Sequence, residues 1–193
     1  FFWGKLFRIP RLLRRLDRLV EYAKPKSFAS CGKENLKEYK LCDFYVASSS
    51  RSYLIGQQTE DYVSAQALTK VITAGARMIE LDIFNETFDP YTEPIVANGK
   101  AVGRYIETYN YVSFDECCKA ISGCAFSGTI IQNSKDPLFI YLNLLVNGNL
   151  KTLDKVAEII KDNFYNYLLP MEYSYQKKDI GQVPIWKLFG KVI

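Results

Sequence analysis

Glu80 and Asp82 form the closest-spaced pair of acids inside an apolar run of this sequence, within Arg77-Met-Ile-Glu-Leu-Asp-Ile-Phe84. That run is rich in strand formers, and the two-residue period of a strand places both carboxylates on one face. Paired acids can act as general acid and base. They can also take structural partners, one pairing with Arg77 or Arg51 and the other capping a loop. A second polar group, Ser48-Ser-Ser-Arg51, follows the apolar run 44–47 and leads into Tyr53 and Leu54. Small polar residues closing a strand sit at its C-terminal end, where α/β barrels build their sites. The chain contains no histidine, the side chain best suited to proton transfer near neutral pH. Any acid–base chemistry must use carboxylate, tyrosine, lysine or cysteine.

The elements that would position these residues alternate. A first strand is expected over 43–47 and a helix over 60–74, with Val63, Ala67, Leu68, Val71 and Ile72 on one side and Gly75 as its C-cap. The strand 77–84 follows, then an acidic, turn-rich loop over 85–93. Ser113-Phe-Asp-Glu116 is a capping box opening a helix to about residue 125. The run 136–146 is the strongest strand signal, and a helix over 152–167 carries Leu153, Val156, Ile159, Ile160 and Phe164 inward.

Ahead of these lies a basic helix expected over 10–23, with Pro10 at its first position and Pro25 stopping it. Leu12, Leu13, Leu16, Leu19 and Val20 share one face, and Arg11, Arg14, Arg15 and Arg18 line the other. Three readings fit. The segment lies on an anionic membrane through Trp3, Lys5, Arg8, Arg11, Arg14, Arg15 and Arg18. It flanks a membrane span on the cytosolic side. Or it packs on the domain or on another protein chain. The expected organisation is a basic amphipathic segment 1–26, a linker 27–42 and a domain 43–193.

The 193 residues suffice for one domain with a real core. Residues 1–26 hold eight lysines and arginines against two acids, a net +6, and the whole chain is +4, so residues 27–193 sum to −2. The basic character belongs to one end, and with no recognition motif in the body nucleic-acid binding is not expected. The five cysteines, Cys31, Cys42, Cys117, Cys118 and Cys124, are odd in number and lack paired CxxC spacing. Reduced packing thiols are expected, and the Asn85-Glu-Thr87 sequon is read as unused.

These motifs, in this order, resemble the X region of phosphoinositide-specific phospholipase C. Ser48-Ser-Ser-Arg-Ser-Tyr-Leu54 is similar to that family's Ser-Ser-His-Asn-Thr-Tyr-Leu, and Glu80-Leu-Asp82 to its Glu-Leu-Asp. Glu93-Pro-Ile-Val-Ala-Asn-Gly-Lys100 resembles Glu-Pro-Val-Val-Tyr-His-Gly-His, and Asp136-Pro-Leu-Phe-Ile-Tyr-Leu-Asn143 resembles Tyr-Pro-Val-Ile-Leu-Ser-Leu-Glu. The resemblance covers about 41–193. It implies an α/β fold, roughly the N-terminal half of a TIM-type (β/α)₈ barrel, preceded here by the basic amphipathic helix.

In that family two histidines stabilise the phosphoryl charge and protonate the leaving oxygen, while calcium lowers the pKa of the attacking inositol hydroxyl. Carried over by position, Ser50 and Asn98 stand where the histidines would be. Arg51 replaces a calcium-binding asparagine and Asn143 a calcium-binding glutamate; Glu80 and Asp82 remain. The resemblance thus implies lost catalysis, lost calcium and no other cofactor, with Arg51 as an internal ion-pair partner of both acids. The expected role is a structural or interaction module among other protein chains, membrane-proximal on the cytosolic face or within a virion-like assembly. Two alternatives stand beside it: a binder of phosphoinositide or other anionic headgroups through Arg51, Lys100 and Arg104, and an atypical phosphodiester hydrolase.

Overall fold

The structure, a computed structural model, describes residues 2–23, 25–28, 36–57, 61–85, 93–100, 105–174 and 176–193, with the side chains of 2–6 and 105 outside that description. In chain order the elements are α1 (Phe2–Tyr22), β1 (Ser48–Ser49), β2 (Leu54–Ile55), β3 (Tyr62–Val63), α2 (Ala65–Thr73), β4 (Met78–Asn85) and β5 (Pro94–Val96). There follow β6 (Gly99–Lys100), β7 (Tyr105–Ile106), β8 (Val112–Ser113), α3 (Phe114–Ala125), β9 (Phe139–Leu144) and α4 (Leu150–Phe164).

β4 is the centre. β1 pairs with it in parallel at Ser48–Met78 and Ser49–Ile79, and β9 pairs in parallel along Met78 to Ile83. The final residues add a parallel neighbour to β9: Leu138 N donates to Lys191 O (2.9 Å) and Ile140 N to Ile193 O (2.9 Å). Four parallel segments therefore stand in sequence order, joined through α2, α3 and α4, which is the repeating unit of a (β/α) barrel. β5 departs from that pattern. It runs antiparallel to the end of β4, from Ile83–Val96 to Asn85–Pro94, and then pairs with β8.

The period of two divides β4 as its sequence predicts. Ile79, Leu81 and Ile83 are fully buried in the main core with Leu68, Ile72, Phe114, Cys117 and Ile121 from α2 and α3. Each such side chain contributes roughly 1.5–3 kcal/mol by leaving water, and Leu81→Ala would cost about 2–5 kcal/mol. The other face carries Met78, Glu80 and Asp82. Two caps also follow the sequence: Ser113 accepts from Glu116 N at 3.1 Å, and Gly75, at φ +111°, closes α2 in the left-handed region.

Other boundaries differ. The strand expected over 43–47 is a 3₁₀ turn, Leu41–Asp43, and an extended stretch; the ladder holds only Ser48–Ser49. Phe44 and Val46 pack against a separate core of Phe28, Leu41, Val183, Ile185 and Leu188, while Tyr45 is exposed. The alternation is real but serves that core, not the sheet. The helix expected from residue 60 starts at Ala65, because Tyr62 and Val63 pair with Ile55 and Leu54 in a hairpin. The stretch read as a linker, 27–42, is anchored where it is described: Ser27 Oγ donates to Asp136 Oδ1 at 2.6 Å, and Phe28 N to both its oxygens.

α1 begins at Phe2 rather than at Pro10 and runs through that proline, which forgoes one i→i−4 bond. Leu12 and Leu13 are buried against Ile55, Tyr62 and Ala67, with Ile9 and Leu16 beside them; Leu19, expected on the same face, is 54% exposed.

Candidate functional site

The site begins with a tight turn over β4. Ser52 Oγ donates to Ser49 O (2.8 Å), Ser52 N to Glu80 O (3.3 Å) and Glu80 N to Ser52 Oγ (3.3 Å). These bonds hold Arg51 at φ +45°, a left-handed conformation unusual outside glycine. The turn thereby aims the Ser50 hydroxyl and the Arg51 backbone at one carboxylate. Ser50 Oγ donates to Glu80 Oε2 at 2.5 Å, and Arg51 N donates to the same oxygen at 3.2 Å.

Asp82 is almost fully buried, at 3% exposure. Tyr53, itself fully buried, donates its phenol to Asp82 Oδ2 at 2.6 Å. Asn143 lies opposite Asp82 in the β4–β9 register and donates Nδ2 to Oδ1 at 3.0 Å. Arg51 Nε stands 3.9 Å from Oδ2, with its side chain 40% exposed. Burial first, then the Asp82 hydrogen bond, push the Tyr53 phenol well above its ordinary pKa, so it remains a donor.

Arg51 and Asn143 thus come together with Glu80 and Asp82 on one face of β4. Arg51 approaches Asp82 through its side chain and Glu80 through its backbone. Arg77 is no partner for either acid. It lies on the other face of β4, 2% exposed, donating to Ala125 O (2.8 Å) and to Asn133 O. Ser50 is exposed and borders a recess of about 250 Å³ with Ser48, Met78, Glu80 and Tyr141.

Asn98 follows β5, where Ala97 N donates to Asp82 O (3.4 Å), but it is 2% exposed, and its backbone carbonyl accepts from Glu107 N (2.8 Å). Lys100 faces Glu107 at 3.6 Å. Arg104 lies outside the described residues. In the N-terminal segment Arg8 pairs with Asp61, Arg11, Arg14, Arg15 and Arg18 are exposed, and the side chains of Trp3 and Lys5 lie outside the description. Two contributors were not singled out from sequence: Ser52, which staples the turn, and Tyr53. Tyr53 stood inside the quoted motif; what its role required was a partner 29 residues away.

Calcium takes six to eight oxygen ligands at 2.3–2.6 Å and is favoured by carboxylate charge. The donor set here is poor for it. Both Asp82 oxygens already accept hydrogen bonds, a permanent guanidinium charge stands beside them, and Asn143 turns an N–H inward. No cluster of three His, Cys, Asp or Glu side chains able to hold a metal exists among the described residues.

Residues 38–193 match the family described as phosphatidylinositol-specific phospholipase C, X domain. The chain belongs to that family. Among curated relatives, a 1-phosphatidylinositol 4,5-bisphosphate phosphodiesterase of Drosophila melanogaster is 31% identical over 117 residues, 61% of this chain and 9% of its own length. A Candida albicans 1-phosphatidylinositol 4,5-bisphosphate phosphodiesterase 1 is 26% identical over 159 residues, 75% of this chain and 13% of its own. The crystal structure of L. pealei PLC21 superposes with a TM-score of 0.64 at 22% identity, covering 81% of this chain and 18% of that one. That of S. officinalis PLC21 gives 0.65 at the same identity and coverage. The X-domain assignment and the shared fold agree with the parallel order β1, β4, β9 and the final segment. The chain spans only a small fraction of these relatives' length.

Proposed function

We propose that this chain is an X-region domain that does not cleave phosphodiesters and serves as a structural or interaction module within a larger protein assembly. The observation that carries this reading is the closed polar constellation around Asp82: Tyr53 on one oxygen, Asn143 on the other, Arg51 alongside. Each positioned general acid or base is worth about 10²–10⁴-fold in rate. The two positions that resemblance assigns to histidines hold Ser50 and Asn98, neither of which exchanges a proton near neutral pH. Glu80, half-buried, remains as a candidate base, and it accepts hydrogen bonds from Ser50 and from the Arg51 backbone. We also propose that calcium is not bound. Two of the three cations named for headgroup binding have acidic neighbours of their own, Asp82 for Arg51 and Glu107 for Lys100, which weakens that alternative.

The test is hydrolysis of phosphatidylinositol and its bisphosphate in mixed vesicles by the purified chain, with calcium and with chelator. Headgroup release at the no-enzyme rate in both is expected. Turnover that disappears in Glu80→Gln would overturn the proposal and establish an atypical hydrolase. Calorimetric titration tests the metal: millimolar or tighter calcium binding, abolished in Asp82→Ala, would refute the closed-site reading.

A further inference from the structure

We propose that α1 carries a docking face for an anionic bilayer, built from Arg11, Arg14, Arg15 and Arg18 with Phe7 and Tyr22, and that the helix lies along the lipid surface with its leucine stripe turned to the protein. The stripe is already covered. Leu12 and Leu13 are 8% and 9% exposed against Ile55, Tyr62 and Ala67. An amphipathic helix that inserts its apolar stripe into lipid is therefore not the arrangement here.

The rotation of α1 about its axis is fixed by two ion pairs on the domain. Arg8 reaches Asp61 at 2.9 Å, and Asp17 pairs with Lys70. Gly56 makes room for the first: at φ +92° it lacks a Cβ that would stand 2.1 Å from Asp61 Oδ2 and 3.1 Å from Leu12 Cδ1. With rotation fixed, the positions 11, 14, 15 and 18, spaced i, i+3, i+4 and i+7, all turn outward.

All four arginines are exposed, and none has a carboxylate at ion-pair distance among the described residues. Phe7 and Tyr22 extend the same face, 62% and 82% exposed. Cations attract anionic lipid headgroups, and flanking aromatic rings enter the interfacial zone that lipid provides and a soluble polyanion does not. The arginine stems can lie along the acyl boundary with their heads among phosphates. α1 precedes the residues matched by the X-domain family, which begin at 38. The inference therefore stands apart from both the family assignment and the proposed inactivity.

The experiment is co-sedimentation of the full chain with phosphatidylcholine vesicles, with and without phosphatidylserine, at about 0.1 M and about 0.5 M salt. Binding is expected only with phosphatidylserine and should weaken at the higher salt. At roughly fivefold per arginine, the triple variant Arg11→Gln, Arg15→Gln, Arg18→Gln should lose on the order of 10²-fold in affinity while its thermal melt stays that of the parent. Phe7→Ala with Tyr22→Ala should weaken binding to the same vesicles. Absence of binding, equal binding to neutral vesicles, or wild-type binding by the triple variant would each overturn the proposal. An aromatic variant that binds like wild type would assign the face to soluble polyanions instead, and the bilayer reading would fall.

Discussion

Tyr53 and Asp82 form a buried phenol–carboxylate pair, 2.6 Å from Oη to Oδ2. The phenol comes from the turn after β1 and the acid from β4, so this one bond ties the site loop to the central strand. It also points a hydroxyl donor at the carboxylate from inside the core, while Asn143 does the same from β9. Both oxygens of this carboxylate accept a hydrogen bond, and the Arg51 guanidinium stands beside one of them.

Tyr53→Phe keeps the ring and removes the donor. Asp82 then loses its shortest hydrogen bond while remaining buried, and a loss of about 1–3 kcal/mol is expected. Urea unfolding should show the midpoint falling with an unchanged slope. A midpoint equal to the parent's would mean that the bond adds nothing net.

Gly56 and Gly148 separate backbone strain from docking. Both have positive φ, +92° and +73°, but a Cβ at Gly148 meets nothing within 4 Å, whereas one at Gly56 collides with Asp61. Gly56→Ala should release α1 from the domain, and trypsin should then cut within the loosened helix faster than in the parent. Gly148→Ala should cost about 1 kcal/mol and leave the digestion pattern unchanged.

Asp136 is buried and holds the segment before the barrel through Ser27 and Phe28. It also offsets the burial of Arg77, whose guanidinium is pushed down to about 10 by desolvation despite the attraction of Asp136. Asp136→Ala leaves that charge less compensated, with an expected loss of about 3–5 kcal/mol. Calorimetric melting should detect it, and Asp136→Asn, which keeps hydrogen-bond acceptance but not charge, should recover part of it.

The buried thiols set an alkaline limit. Burial pushes Cys117, Cys118 and Cys124 up, Cys118 to about 12 from an ordinary 9.0. Their folded pKa values exceed the unfolded ones, so this contribution is complete below about pH 9 and is lost as pH rises from there toward the folded values. The slope should approach 1.4 kcal/mol per pH unit for each protonated thiol, read from urea midpoints between about pH 8 and pH 11. Among the described cysteines only Cys42 is exposed. Native labelling with a thiol reagent should modify it first, and the other three only on unfolding.

By itself the sequence determined what depends on near neighbours along the chain. The alternation of Arg77 to Phe84 put Glu80 and Asp82 on one face of β4, Ser113 capped α3, Gly75 ended α2, and the absence of histidine removed the usual proton carrier. Those features follow from a strand's period, a cap's hydrogen bond and a side chain's pKa, all of them local. Only the tertiary structure decided between partners that local rules leave equal. Arg51 reaches Asp82 because the turn after β1 is held over β4 by Ser52, an approach that no local rule sets. Phe44 and Val46 serve a core shared with Val183 and Leu188, so the strand expected there shrank to Ser48–Ser49. Tyr62 and Val63 kept a helical spacing yet became a hairpin strand, since Leu54 and Ile55 offered ladder partners. The leucine stripe of α1 fitted lipid and protein equally well until Asp61 and Lys70 fixed its rotation. In each case the choice was made by contacts between residues far apart in sequence, whose geometry exists only once the chain has folded.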